Sequence, residues 1–328
     1  MKPISRAIVL AGLMACFSTL FFSSDGLAQA VTPEKTETIA QARSTVLLEG
    51  RVSAAHLTGE AREYVYDASW EGEKGSELIW QIKNVYMVGL GLTVQPFKRL
   101  AFNADGWFNV NDGTGEMDDY DWFIRHEDWT HWSHSAQVEL DKGRILDVNA
   151  QITLAEPGGF TLAAIVGYRY DNWKWTDYGD GVFIYSVNGF RDTVGYLPGD
   201  EPGISYEQTY QTPYLGIGIS GHFNRLTLQA RLTGSTLVKN EAVDHHYHRD
   251  MVFYDSFENG DMIALDISGA CQLTDHWGIR LGYAYQRYCE TTGDTRVVYG
   301  DGTTERYLNE AGAELEYHNV SVSFLYSF

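Results

Sequence analysis

The feature that narrows this chain most is a strict alternation of apolar and polar residues along long segments, punctuated by turns of two kinds. In "IALDISGACQL", Ile263, Leu265, Ile267, Cys271 and Leu273 share one face, while Asp266, Ser268 and Gln272 share the other. The same alternation runs through "RLAFNADGWFNV" and "NRLTLQARLTGSTLV". A period of two means strand, because successive side chains leave a strand on opposite faces. Short turns are expected at 95–99, 156–159, 222–225 and 274–277, and long polar loops at 67–75, 111–132, 178–204, 241–257 and 293–304. Four short turns interleaved with five long loops give ten strands, with both chain ends on the short-turn side. The pattern predicts an all-β fold: a ten-stranded antiparallel transmembrane β-barrel with long extracellular loops, apolar outside and polar inside.

The last residues, "VSVSFLYSF", set Val320, Val322, Phe324, Tyr326 and Phe328 on one face. Upstream, Ala313, Leu315 and Tyr317 have the opposite parity, which predicts a bulge near His318 and Asn319. An aromatic content of 14%, with 21 tyrosines, suits the girdles found at membrane interfaces. A secreted β-sandwich would also alternate and is the competing fold.

At the N-terminus, "MKPISR" is followed by the apolar run "AIVLAGLMACFSTLFF" and then by "AQA". This reads as a secretory signal peptide over residues 1–30, ahead of a periplasmic segment at 31–44 and a barrel domain at 45–328. A lipoprotein reading of "LMAC" around Cys16 competes with it. No later segment approaches the ~18 consecutive apolar residues of a membrane helix. Cleavage removes two positive charges and one negative, taking the net charge from −20 to −21. So acidic a chain excludes nucleic acid as a partner and favours a cationic one. Cys271 and Cys289 flank the turn at "TDHW" and are expected too far apart to bridge.

Two stretches carry candidate chemistry. In "MDDYDW", Asp119 and Asp121 are two apart, so on an extended chain both carboxylates point one way and Tyr120 the other. Like charges that close raise each other's proton affinity, which makes one of them a proton carrier; a solvated acidic loop is the alternative. In "VDHHYHRD", Asp244 and His246 have the same spacing. A carboxylate that accepts one imidazole N–H leaves the other nitrogen free as a base. Continuing the parity of Leu226–Val238 would turn this pair outward, so a break in alternation is expected within "KNEA", residues 239–242. The histidines at 126, 131, 134, 245, 246 and 248 also allow a metal reading, but no closed cysteine–histidine pattern or His-Glu-x-x-His motif is present. No metal and no other cofactor is therefore expected. No Gly-x-Ser-x-Gly elbow supports a serine nucleophile.

With "MDDYDW", "VDHHY", "GFRD" at 189–192 and "PYLG" at 213–216, the chain resembles the omptins, outer-membrane aspartyl-type proteases of Gram-negative bacteria, from about residue 45 to Phe328. The resemblance implies an endopeptidase that cleaves polypeptides near basic residues at a site facing the extracellular side of the bacterial outer membrane. It implies Asp119 and Asp121 as an aspartate couple, Asp244 and His246 as a dyad, and water as the nucleophile. "REYVY" at 62–66 resembles the strand bearing the glutamate of the pocket for the basic residue, which points to Glu63. Where the family has a second acidic pocket residue this chain has Ala242, leaving the adjacent Glu241 as its candidate replacement. The family also implies outer-membrane lipid, lipopolysaccharide in particular, as activator. Tyr168 fits that site, whereas Tyr170, Asn172 and Thr209 replace its expected charged residues, so lipopolysaccharide either is not required or is held by other groups. The alternative function is a non-enzymatic barrel acting as adhesin or narrow pore; an enzyme acting on lipid is a weaker third.

Overall fold

The computed structural model describes residues 46–125 and 127–328. The expected signal peptide, the segment at 31–44 and His126 lie outside the described residues. The strands in chain order are β1 (Leu47–Asp67), β2 (Glu73–Phe97), β3 (Leu100–Asn109), β4 (Gly115–Asp121), β5 (His131–Ala155) and β6 (Phe160–Asp177). A small hairpin follows, β7 (Gly181–Tyr185) and β8 (Thr193–Leu197). The wall then continues with β9 (Ile204–Phe223), β10 (Leu226–His246), β11 (Met251–Gln272), β12 (Trp277–Tyr299) and β13 (Thr304–Ser327).

β3 and β4 are two pieces of one wall strand, both pairing with β2 and β5, so the sheet closes as a ring of ten antiparallel strands. Closure is what hydrocarbon demands, since every unpaired backbone group there costs several kcal/mol. The two ends of the barrel chain meet at the short-turn end, where Phe328 N–H donates to the Leu48 carbonyl at 3.0 Å. All four short turns fall where alternation predicts them.

The opposite end differs from expectation. Three of the five expected loops are short, interrupting the strands at residues 68–72, 247–250 and 300–303, so most of the residues expected in the loops at 241–257 and 293–304 are strand instead. The connections at 122–130 and 178–203 are long, and the second carries β7 and β8. Hydrogen-bonded ladders continue upward past the region where one face meets lipid, and there the apolar-out pattern that marks a membrane strand stops.

The wall in fact turns inside out. In the short-turn half Val52, Leu90, Phe102, Leu146, Leu215 and Phe324 project outward and are exposed, a band that belongs in hydrocarbon. In the other half Leu57, Ala61, Trp80, Trp175, Leu315 and Tyr317 point inward and are buried. This inversion explains the parity change in β13: no bulge exists at His318 and Asn319, whose register with Thr58 and Leu57 is continuous. Cys271 faces Ile279 near one end of its hairpin, while Tyr288, beside Cys289, faces Met262. Both cysteines are free.

The lumen is likewise divided. Below lies a cavity of about 330 Å³, lined in part by Arg51, Asp105, Arg169, Arg231, Asp266 and Arg280. Arg51 is paired with Asp105 at 2.8 Å and Arg231 with Asp266 at 3.2 Å. Above it the rings of Trp80 and Tyr206 stack 5.8 Å apart and those of Trp175 and Tyr206 6.3 Å apart, all three with no exposed surface. This aromatic layer fills the interior and argues against the pore reading.

Candidate active site

β4 exists because the wall strand is interrupted and restarted. Gly113 takes a φ of +72°, and a Cβ there would meet the Lys83 carbonyl at 2.6 Å, so only glycine fits. The Asn111 side chain clamps the gap, accepting from Tyr86 N–H at 2.7 Å and donating to the Asn84 carbonyl at 2.9 Å. Beyond it β4 lies between β2 and β5, with Asp119 opposite Leu78 and Ser133, and Asp121 opposite Ser76 and His131. Asp119 and Asp121 share the inward face as predicted. Tyr120 points out, into a ring cluster with Trp122, Trp129 and Trp132.

Asp244 and His246 stand across the mouth on β10, facing inward. The break in alternation that this requires is present, but it lies between Ser235 and Val238 rather than within residues 239–242. Its cause is in the neighbouring strand. Pro213 of β9 has no N–H to give the ladder, and Ser235 Oγ instead donates to the Pro213 carbonyl at 2.6 Å and accepts from Leu237 N–H at 3.0 Å. Between Gly234 and Lys239, β10 uses one residue more than β9. The dyad itself is formed, with His246 Nε2 2.5 Å from Asp244 Oδ2. Asp244 is 2% exposed, and its Oδ1 has no partner among the described residues. The edge of the His246 ring packs on Phe253, centroids 5.3 Å apart. Donation through Nε2 leaves Nδ1 as the free nitrogen.

Glu63 points into the same space from β1, buried, with no partner for Oε2 among the described residues. Glu241 does not. It is exposed and lies on the outer face with Val243 and His245, because neighbouring residues on a strand point to opposite sides. The inward residues near it are Ala242 and, directly opposite on β11, Asp255, which is buried. Asp255 was missed from sequence. The hairpin contained the means to find it, since pairing residue 246 with 251 brings 242 to 255.

All these groups lie above the apolar outer band. Burial holds the Asp119 carboxyl well above the usual range, with Asp121 adding to the rise and Arg249 opposing it. Burial raises Asp121 as well, against Ser76, Arg249, His131 and His246. Asp244 also acts on Asp119, placing the two halves within electrostatic reach of each other. Glu63 is raised by burial first and then by Asp244, Asp255 and Asp119. The site is thus an acidic mouth in which burial and mutual repulsion raise the proton affinity of several carboxylates.

Three of the other histidines have partners of their own. His134 Nδ1 lies 3.0 Å from Asp118 on the outer face, and His245 stacks on Tyr247. His131 lies between Phe123 and Tyr185. On the outer wall Tyr168 bonds Gln211 at 3.2 Å, and Asn172 bonds Glu207 at 2.8 Å and Thr209 at 3.0 Å. Lys142 is paired with the same Glu207 at 2.9 Å, and Lys174 lies 3.6 Å from Asp141.

Residues 47–328 match the Omptin family. The chain is 28% identical over 247 residues to the plasminogen activator of Yersinia pestis, covering 75% of this chain and 78% of that protein. It is 25% identical over 281 residues to the outer membrane protease OmpP of Escherichia coli (strain K12), covering 84% and 89%. The crystal structure of the outer membrane protease OmpT from Escherichia coli has the same fold, with a TM-score of 0.81 at 24% identity over 86% of this chain and 97% of that one. A match to the family over nearly the whole barrel, on a ten-stranded ring with an acidic mouth, means that the chain belongs to the omptin family and is a protease of the outer membrane.

Proposed function

We propose that this chain is an endopeptidase that cuts polypeptides beside basic residues by attack of water, its mouth facing the extracellular side. The observation that carries the proposal is the convergence of Asp119 and Asp121 with the Asp244–His246 pair within electrostatic reach of one another, above the buried aromatic layer. His246, oriented by Asp244, takes a proton from water through Nδ1 as the oxygen attacks the scissile carbonyl, and then returns it to the departing amine. General-base assistance of this kind contributes ~10²–10⁴-fold. Asp119 holds the water from the other side, and Asp121 shares a proton with it, so the couple carries one negative charge rather than two.

The acidic walls supply the substrate preference. A basic side chain beside Glu63 receives charge-assisted hydrogen bonds and neutralises an ionised carboxylate that would otherwise be costly to bury. The outward orientation is supported by the placement of both ends of the barrel chain at the short-turn end, opposite the mouth. Lipopolysaccharide is proposed as a surrounding lipid rather than a required activator, because Lys142 and Lys174 of the outer wall are already paired and Arg144, opposite Asn172, stands beside them as a single exposed guanidinium. The test is cleavage of a dibasic peptide by chain refolded in detergent, with and without lipopolysaccharide. Retention of full cleavage by Asp119→Ala and His246→Ala would defeat the proposal.

A further inference from the structure

The pocket beside Glu63 has a second carboxylate from an unexpected strand. Ala242 on β10 pairs on one side with Gln208, whose amide is spent on Tyr206 at 3.0 Å and Tyr210 at 3.1 Å. On its other side it stands opposite Asp255. A methyl group therefore separates an amide already bonded to the lumen tyrosines from a carboxylate with spare capacity. Asp255 is 7% exposed and Glu63 5%, and one oxygen of each, Oδ1 and Oε2, has no hydrogen-bond partner among the described residues. Both point inward, and each adds to the electrostatic environment of the aromatic floor at Tyr206. Two buried carboxylates with unmatched oxygens form an arrangement that a cationic donor both bonds and neutralises, which water and apolar groups do not do.

We propose that Asp255 is a specificity-determining residue of the protease site, forming with Glu63 a two-carboxylate pocket for a basic side chain of the substrate. The inference rests on the endopeptidase reading above. The second carboxylate comes from β11 because position 242 on β10 holds alanine, and the methyl group leaves room for the substrate cation between the two strands. A guanidinium bonds both carboxylates at once through its fork of donors, and an ammonium does so through separate protons. Asp244 lies two residues above Ala242 on the same face, so the cation is held next to the reacting carbonyl rather than at a remote subsite.

The experiment uses three peptides that differ only in the residue before the cleaved bond, arginine, lysine or glutamine, with full-length chain refolded in detergent. The variants are Asp255→Asn, Glu63→Gln, and Asp255→Asn combined with Ala242→Asp. Heat-modifiable migration on a gel verifies that each has folded. Asp255→Asn is expected to lower the kcat/KM ratio of arginine over glutamine about tenfold or more, mainly through KM. Glu63→Gln lowers it similarly, and Ala242→Asp in the Asp255→Asn background restores it by moving the carboxylate to the facing strand. An unchanged ratio in folded Asp255→Asn would overturn the inference and leave the protease reading standing. Failure of the unaltered chain to cut any of the three peptides would overturn the protease reading and this inference with it.

Discussion

Ser235 Oγ donates a 2.6 Å hydrogen bond to the Pro213 carbonyl at the point where β10 changes which side chains it turns inward. One extra residue there decides that Asp244 and His246 face the mouth. Deleting Leu237 should straighten β10 and leave the dyad facing the mouth, because 238, 240, 242, 244 and 246 then continue the inward set of 233 and 235, whereas deleting Lys239 should turn the dyad outward and abolish cleavage while the barrel still forms. Peptide cleavage and heat-modifiable migration, measured together, check this. Ser235→Ala is the milder probe, expected to lower stability by about 1 kcal/mol and to leave the rate nearly intact.

His246→Ala should lower kcat by ~10²–10⁴-fold with KM little changed. Asp244→Asn should fall in the same direction, because an amide can no longer fix the imidazole with its Nε2 proton toward residue 244. Initial rates over a range of peptide concentrations separate the two parameters. A higher KM at constant kcat would make His246 a binding group instead.

In the proposed mechanism the aspartate couple sets the acid side of the pH–rate profile. Activity needs one of Asp119 and Asp121 ionised, and both are held above the ordinary carboxylate range by burial. The rate should therefore fall, as pH is lowered, at a higher pH than free carboxylates of ~4 would give. Arg249 opposes the rise, so Arg249→Ala should move this acid limb to still higher pH. A shift in kcat/KM toward lower pH would contradict the assignment.

Stability should show the opposite dependence on pH from that of a salt-bridged carboxylate. Asp255, with an ordinary value of 3.8, is pushed up to about 7 by burial. Between those values the folded chain keeps a proton that the unfolded chain has lost, so stability falls as pH rises through this window and then levels off. Asp255→Asn removes that loss. Its unfolding temperature should exceed that of the unaltered chain at pH 8, by an amount equivalent to at most about 4 kcal/mol, and match it near pH 4. Thermal unfolding in detergent at the two pH values is the measurement.

Lipopolysaccharide should stimulate cleavage only weakly. Lys142 and Lys174 are engaged by Glu207 and Asp141, and Asn172 donates to Glu207 and Thr209, which leaves Arg144, opposite Asn172, as a single exposed guanidinium to meet a phosphate there. Rates in detergent with and without added lipopolysaccharide should agree within a few-fold. Glu207→Gln frees Lys142 and should increase the response.

Much of this molecule was legible before any coordinates. Lipid on one face and polar side chains on the other impose a period of two, so the membrane strands and all four short turns could be read directly. The pairs Asp119–Asp121 and Asp244–His246 were legible because a two-residue spacing has one meaning on a strand. Legibility ended where a neighbour decides the outcome. The site of the β10 break depends on Pro213, which lies on another strand. The parity of Leu315 and Tyr317 looked like a bulge because apolar residues mark the outside below and the inside above. Glu241 was chosen for nearness in sequence, although the next residue along a strand points the other way. Asp255 occupies the neighbouring place in space, and it becomes visible only once β10 and β11 are put in register.

The stack of Trp80, Tyr206 and Trp175 has a consequence for the cell as well as for the site. A bacterium that displays an open-mouthed hydrolase risks perforating its own permeability barrier with every copy it inserts. Here the opening ends blindly on three aromatic rings, and beneath them the lumen is threaded by paired arginines and aspartates. Such a barrel can be abundant in the outer membrane without opening a wide channel for solutes.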